Sequence, residues 1–136
     1  MAKQTKPVIY IVDDDASIRR AMKRLIRSTG MDVRVFSSAK EFLDFKYRKH
    51  NSCMIVDIRL EGKNGLELQD ELRATGSDLP IIFITGFDST ETRDRAKKAG
   101  AAGYFRKPID DQALLDSIHW ALAKQSKEKK SEKVGF

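Results

Sequence analysis

The chain has 136 residues, 40% of them hydrophobic, with a net charge of +6 and a single Cys, Cys53. That length buries one core and not two, the apolar fraction excludes a disordered chain, and one Cys excludes a disulfide framework or a Cys-built zinc site. The basic excess sits at the ends. Lys3 and Lys6 precede Pro7, five Lys against Glu128 and Glu132 follow Ala123, and the body between holds 19 basic and 18 acidic side chains.

The longest apolar stretches, Val8–Val12 and Ile81–Ile84, are far too short to span a bilayer. Residues 1–7 lack the apolar middle of a signal peptide. A cytoplasmic domain without membrane association is expected. No DNA-reading helix pair is visible and no aromatics interleave with the basic residues, so direct nucleic-acid binding by this domain is not expected.

The elements follow in chain order. Residues 8–12 form a continuous β-branched and aromatic run, as a strand covered on both faces requires. Residues 16–29 place Ile18, Ala21, Met22, Leu25 and Ile26 at helical spacing with Arg and Lys elsewhere; Asp15 caps this helix and Gly30 stops it. Residues 33–36 read as a short strand. Ser38 and Glu41 form a capping box for a second helix reaching about Tyr47. A third strand covers 53–56. A third helix covers 65–74, with Leu66 and Leu72 inward. A fourth strand covers 81–84. A fourth helix starts near Asp88 and ends at Gly100, a fifth strand covers 103–106, and Asp110 or Asp111 caps a last helix with Leu114, Leu115, Ile118 and Leu122 on its apolar face. From Lys124 the sequence loses apolar periodicity. The predicted organisation is an extension at 1–6, a domain at 7–123, and a basic disordered tail or linker at 124–136.

Five strand–helix units in strict alternation imply an α/β fold, a single doubly wound parallel sheet with helices on both faces. Ligands of such sheets sit beyond the carboxyl ends of the strands. There the sequence places Asp13, Asp14 and Asp15 after the first strand, Asp57 after the third, Thr85 and Gly86 after the fourth, and Lys107 and Pro108 after the fifth. Converging carboxylates repel, and a hard divalent cation relieves this; an incomplete oxygen cage suits Mg2+, or Mn2+ in its place. A carboxylate can take a phosphoryl group as an aspartyl phosphate, with Thr85 and Lys107 on its oxygens. Singly, an Asp after a strand is a turn or cap and a Lys-Pro is a turn. Jointly, four strand ends carry what one site needs.

The segments VIYIVDDDASIRRAM, CMIVDIRLEGKNGLEL, IIFITG and KAGAAGYFRKPI resemble the receiver domain of bacterial two-component response regulators over about residues 7–123. The opening VDDDASIRRAM and the Ser37–Leu43 segment are most similar to the FixJ-like receiver subgroup, whose members usually precede a helix-turn-helix domain. The resemblance implies a flavodoxin-like receiver fold with strand order 2-1-3-4-5. It implies Asp57 as phosphoacceptor, Asp13 and Asp14 as metal ligands with Asp57, the Arg59 backbone carbonyl as a further ligand, and Thr85 and Lys107 on the phosphoryl group. It also implies a cis Lys107–Pro108 peptide and a switch in which Thr85 moves to the phosphoryl group and Tyr104 turns inward, reshaping the helix-four, strand-five, helix-five face. Phe105 then belongs to the core. The implied donor is a sensor histidine kinase or a phosphotransfer protein. A homodimer through the switching face is an implied option. The domain is expected to be a signalling module rather than an enzyme, assisting only its own phosphorylation and dephosphorylation. The alternative is a receiver-like interaction module that works without phosphate.

The chain departs from the family pattern after Asp57, where Ile58-Arg59-Leu60-Glu61 replaces the frequent Met-Pro. Phe87, two residues after Thr85, is expected to shield the phosphoryl group from water and slow its loss. A phosphatase of the haloacid dehalogenase class needs an acid at Arg59, and a flavodoxin-like cofactor binder needs a phosphate-cradling loop where Asp13–Asp15 stand. Cys53 reads as a core thiol. His50 and His119 lack a carboxylate context. Trp120 should face away from the core.

Overall fold

A computed structural model describes residues 6–134, with side chains through Lys127. Its elements are β1 (Val8–Val12), α1 (Ala16–Arg27), β2 (Asp32–Phe36), α2 (Ala39–Leu43), β3 (Ser52–Asp57), α3 (Gly65–Ala74), β4 (Ile81–Thr85), α4 (Thr90–Lys98), β5 (Gly103–Arg106) and α5 (Asp111–Val134). The five strands form one parallel sheet in the order β2-β1-β3-β4-β5. Every residue of β1, β3 and β4 is buried, which is why residues 8–12, 53–56 and 81–84 read as unbroken apolar runs. No helix among the described residues is long and apolar enough to cross a membrane.

The pleat divides the core into two layers. Tyr10, Met54, Val56 and Phe83 face α2 and α3 with Phe42, Leu68 and Leu72. Ile9, Ile11, Ile55, Ile82 and Ile84 face α1 and α5 with Met22, Ile26, Leu114 and Ile118. Each fully buried aliphatic or aromatic side chain contributes about 1.5–3 kcal/mol, so the three central strands dominate the burial term.

Three boundaries differ from the sequence reading. First, α2 stops at Leu43, not near Tyr47. Phe45 and Tyr47 leave helical geometry to join an aromatic cluster, with ring centroids 6.0 Å from Tyr10 to Phe45 and 5.1 Å from Phe42 to Tyr47. Tertiary packing overrides local propensity there.

Second, Ser89 rather than Asp88 caps α4, its Oγ accepting the Thr92 N–H at 3.1 Å. Asp88 is drawn to Tyr104 and Arg93 instead. Asp15 and Asp110 cap α1 and α5 as expected: Asp15 accepts the Ser17 N–H at 2.8 Å and Asp110 the Ala113 N–H at 2.8 Å.

Third, α5 continues to Val134, past the boundary expected at Lys124, so the segment expected as a tail or linker is helical as far as Val134. Ala, Gln, Lys and Glu all favour helix there. Gln125, past the predicted boundary, is buried; its side chain accepts the Ser52 N–H at 3.2 Å and donates to the Lys49 carbonyl at 3.0 Å. The extension expected at 1–6 lies, apart from Lys6, outside the described residues. Trp120 is 56% exposed, with the Lys124 ammonium 5.1 Å from its ring centroid.

Candidate functional site

Strand register builds the site. Val12 of β1 lies opposite Val56 of β3, so the next residues, Asp13 and Asp57, emerge side by side at the carboxyl edge. Asp57 pairs with Ile84 of β4, and Thr85 pairs with Arg106 of β5. One residue further, the Lys107 N–H donates to the Thr85 carbonyl at 2.7 Å, tying the ends of β4 and β5 together. The Lys107–Pro108 peptide is cis. Four strand ends thus deliver their polar side chains to one edge.

Asp13 is fully buried and Asp57 nearly so, while Asp14 is exposed. The Lys107 ammonium donates to Asp57 Oδ2 at 2.7 Å and to Asp13 Oδ2 at 3.2 Å. Backbone donors take the other oxygens: the Asp15 N–H donates to Asp13 Oδ1 at 2.9 Å and the Arg59 N–H to Asp57 Oδ1 at 2.9 Å. Burial raises the Asp13 carboxyl above its ordinary value, and the Asp57 charge pushes the same way against the Asp15 N–H and Lys107. Burial acts to lower Lys107, but its hydrogen bond to Asp57 and the charges of both carboxylates outweigh it, and the ammonium is held above its ordinary value.

One oxygen from each of Asp13, Asp14 and Asp57 lies within 4.8 Å of the others. Three carboxylates and one ammonium leave two negative charges, and every donor is a hard oxygen. That set fits Mg2+ or Mn2+, which bind through a few carboxylates and keep several waters.

The loops are held closely around this cluster. A Cβ on Gly65 would sit 2.5 Å from the Asp57 carbonyl oxygen, and the Gly65 N–H donates to the Ile58 carbonyl at 2.9 Å. Only a residue without a side chain lets the start of α3 approach the acceptor strand this closely. Thr85 is fully buried, and its hydroxyl accepts the Phe87 N–H at 3.0 Å and donates to the Phe87 carbonyl at 3.1 Å. It is therefore engaged with its own loop. Arg59 is exposed, its guanidinium carbon 3.9 Å from the Phe87 ring centroid, and Phe87 is 63% exposed. This cation–π contact joins the loop after β3 to the loop after β4.

Tyr104 is half-buried and donates its hydroxyl to Asp88 Oδ1 at 3.0 Å; Asp88 also pairs with Arg93, whose guanidinium carbon lies 5.6 Å from the Tyr104 ring centroid. Burial and then the Asp88 hydrogen bond push the Tyr104 hydroxyl up to about 12. Phe105 points to the opposite core layer. The sequence reading missed Asp88, Arg93 and Gly65. It also missed Arg19, whose guanidinium donates to the Asp13 carbonyl at 2.7 Å. Only Gly65 carried a local signal, an Asn64 and Glu67 capping box that fixes it as the first residue of α3.

A family model described as the response regulator receiver domain matches residues 9–119. Nodulation protein W of Bradyrhizobium diazoefficiens is 39% identical over 96% of this chain and 57% of its own length. Response regulator protein TodT of Pseudomonas putida is 42% identical over 85% of this chain and 51% of its own length. The chain thus spans little more than half the length of these relatives. Among solved structures, response regulator StyR superposes with a TM-score of 0.87 at 37% identity, over 95% of this chain and 65% of its own. FixJ-N superposes with a TM-score of 0.80 at 28% identity, over 88% and 96%.

Proposed function

Because the chain belongs to the response regulator receiver family of two-component systems, we propose that it takes a phosphoryl group from a phosphohistidine of a sensor kinase or phosphotransfer protein onto Asp57. The observation that carries this reading is the Lys107 ammonium bridging buried Asp57 and Asp13, with the Asp14 carboxylate close enough to share a cation with both.

A carboxylate oxygen of Asp57 forms the new O–P bond while the P–N bond of the donor imidazole breaks, and the electron pair stays with that ring nitrogen. Asp13, Asp14 and Asp57, with the Arg59 carbonyl, are the residues that would hold Mg2+ or Mn2+, which when bound neutralises charge on the phosphoryl oxygens. The Arg59 N–H orients the Asp57 carboxylate. Lys107 already touches Asp57 Oδ2, so it is placed to follow the charge from carboxylate to phosphoryl oxygen. Thr85 gives up its hydrogen bond to the Phe87 carbonyl to donate to the phosphoryl group, which draws the loop after β4 inward. Asp88 lies on that loop, so its hold on Tyr104 is released and the α4–β5–α5 face changes. That face is where a partner, an output domain or a second copy would read the state. Incubation with Mg2+ and acetyl phosphate, followed by intact-mass measurement, should show one added phosphoryl group. The adduct should be absent from Asp57→Asn and from a sample with excess EDTA; an equal adduct on Asp57→Asn refutes the assignment.

A further inference from the structure

β2 ends the sheet, with no strand beside its outer edge among the described residues. The Asp32 N–H donates to the Pro7 carbonyl at 2.9 Å and the Phe36 carbonyl accepts from Asp13 at 3.1 Å, so residues 32, 34 and 36 turn their backbone groups toward β1. Alternation turns the N–H and C=O groups of Val33 and Val35 outward, and no described residue bonds to them. Beside the first half of this edge, at Asp32, Val33 and Arg34, lies a groove of about 690 Å³, away from Asp57, lined also by Lys23, Arg27, Lys46 and Arg48, with Asp32 its one acid.

Arg48 is spent inside the fold, donating to the carbonyls of Lys6, His50 and Asn51. The other four cations make no ion pair among the described residues. They lie on both faces of the sheet edge. Lys23 and Arg27 belong to α1, which packs on one core layer, and Lys46 lies between Phe45 and Tyr47, which pack on the other.

These features discriminate among occupants. A second copy of this chain would bring the same positive edge against itself, a repulsive pairing. A nucleic acid would meet the cations but offers no alternating N–H and C=O groups to answer Val33 and Val35. An extended peptide answers both. Its backbone pairs with the edge, and carboxylates on successive residues, pointing to opposite faces, each meet a cation. We propose that this groove binds an extended acidic segment of a partner protein as a sixth strand beside β2. The reading is independent of Asp57 chemistry.

The test titrates the isotope-labelled full chain with a short synthetic peptide in which pairs of successive Glu residues are separated by Val or Thr, followed by NMR. The same peptide with Lys for Glu and a single-stranded oligonucleotide of equal charge serve as comparators. The expected result is binding of the acidic peptide alone, with hydrogen exchange at the Val33 and Val35 amides slowed about tenfold or more. The Arg34→Glu, Lys46→Glu double variant should lose about tenfold or more in affinity. Both substitutions are on exposed side chains, and an amide spectrum as dispersed as the parent's checks that the variant is folded. No binding, binding without protection of those two amides, or equal binding of the oligonucleotide overturns the proposal.

Discussion

Lys107 sets the electrostatic balance of the site, because among the described residues it is the one cation touching two buried carboxylates. Lys107→Met keeps most of the stem and removes the charge. In EDTA it should destabilise the fold by about 2–3 kcal/mol, since Asp13 and Asp57 then face each other without a counter-ion. Mg2+ should recover most of that loss, so urea midpoints with and without Mg2+ separate a charge role from a packing role. An equal loss in both conditions contradicts it. Cys53 makes a second prediction. Complete burial pushes its thiol up to about 12 from an unfolded value of 9.0. The folded state therefore keeps a proton that the unfolded chain loses, so stability is full below pH 9 and falls as pH rises toward 12. Tyr104, raised to about 12 from 10.0, adds in the same direction. Urea midpoints across that window should decline, less steeply for Cys53→Ala, and native protein near pH 8 should leave Cys53 unmodified by a thiol reagent until unfolded.

At the scale of elements, closeness of approach is the governing quantity. Gly65→Ala should cost about 1–3 kcal/mol, because the new methyl meets Asp57 and Ile58 backbone and not a flexible side chain. Urea denaturation checks this, and a midpoint equal to the parent's would mean that α3 can shift freely. The Arg59–Phe87 contact links the loops after β3 and β4. Phe87→Glu breaks that contact and brings in a group able to position water, and should shorten the phosphoryl lifetime by roughly an order of magnitude; an unchanged lifetime would show that Phe87 does not shield the phosphoryl group. Elements buried on both faces were legible in the sequence because burial leaves an uninterrupted apolar run, and β5 was legible from its flanking glycine and Lys-Pro. The end of α2 was not. Phe42 and Phe45 keep helical spacing, and only the aromatic cluster around Tyr10 shows that Phe45 leaves the helix. Asp88 illustrates the same limit at the site. Nothing local distinguishes a helix cap from an acceptor for a tyrosine 16 residues away.

For the molecule as a whole, the long α5 runs from beside β5 to the start of the central strand β3. Its Leu114 and Ile118 pack in the core layer that Phe105 joins, and its Gln125 holds Ser52 and Lys49. Gln125→Ala should cost about 1–3 kcal/mol by leaving the buried Ser52 N–H unpaired, and should speed hydrogen exchange at the far end of α5 more than in β4; uniform change across the chain would contradict a local clamp. The fold, and the closeness of Asp13, Asp14, Asp57 and Lys107, could be read from strand-end residues given parallel alternation. The direction of the Thr85 hydroxyl, the Asp88–Tyr104 bond and the helical run past Lys124 could not, because each depends on contacts between distant segments or on cooperative helix extension. We propose that Asp57 alone accepts the phosphoryl group. Borohydride trapping after treatment with Mg2+ and acetyl phosphate, which reduces an acyl phosphate to the alcohol, followed by peptide mass mapping, tests this. Homoserine at position 57 and nowhere else is the predicted result. Homoserine at position 13 or 14, or phosphate surviving on a hydroxyl residue with position 57 unmodified, would contradict the account.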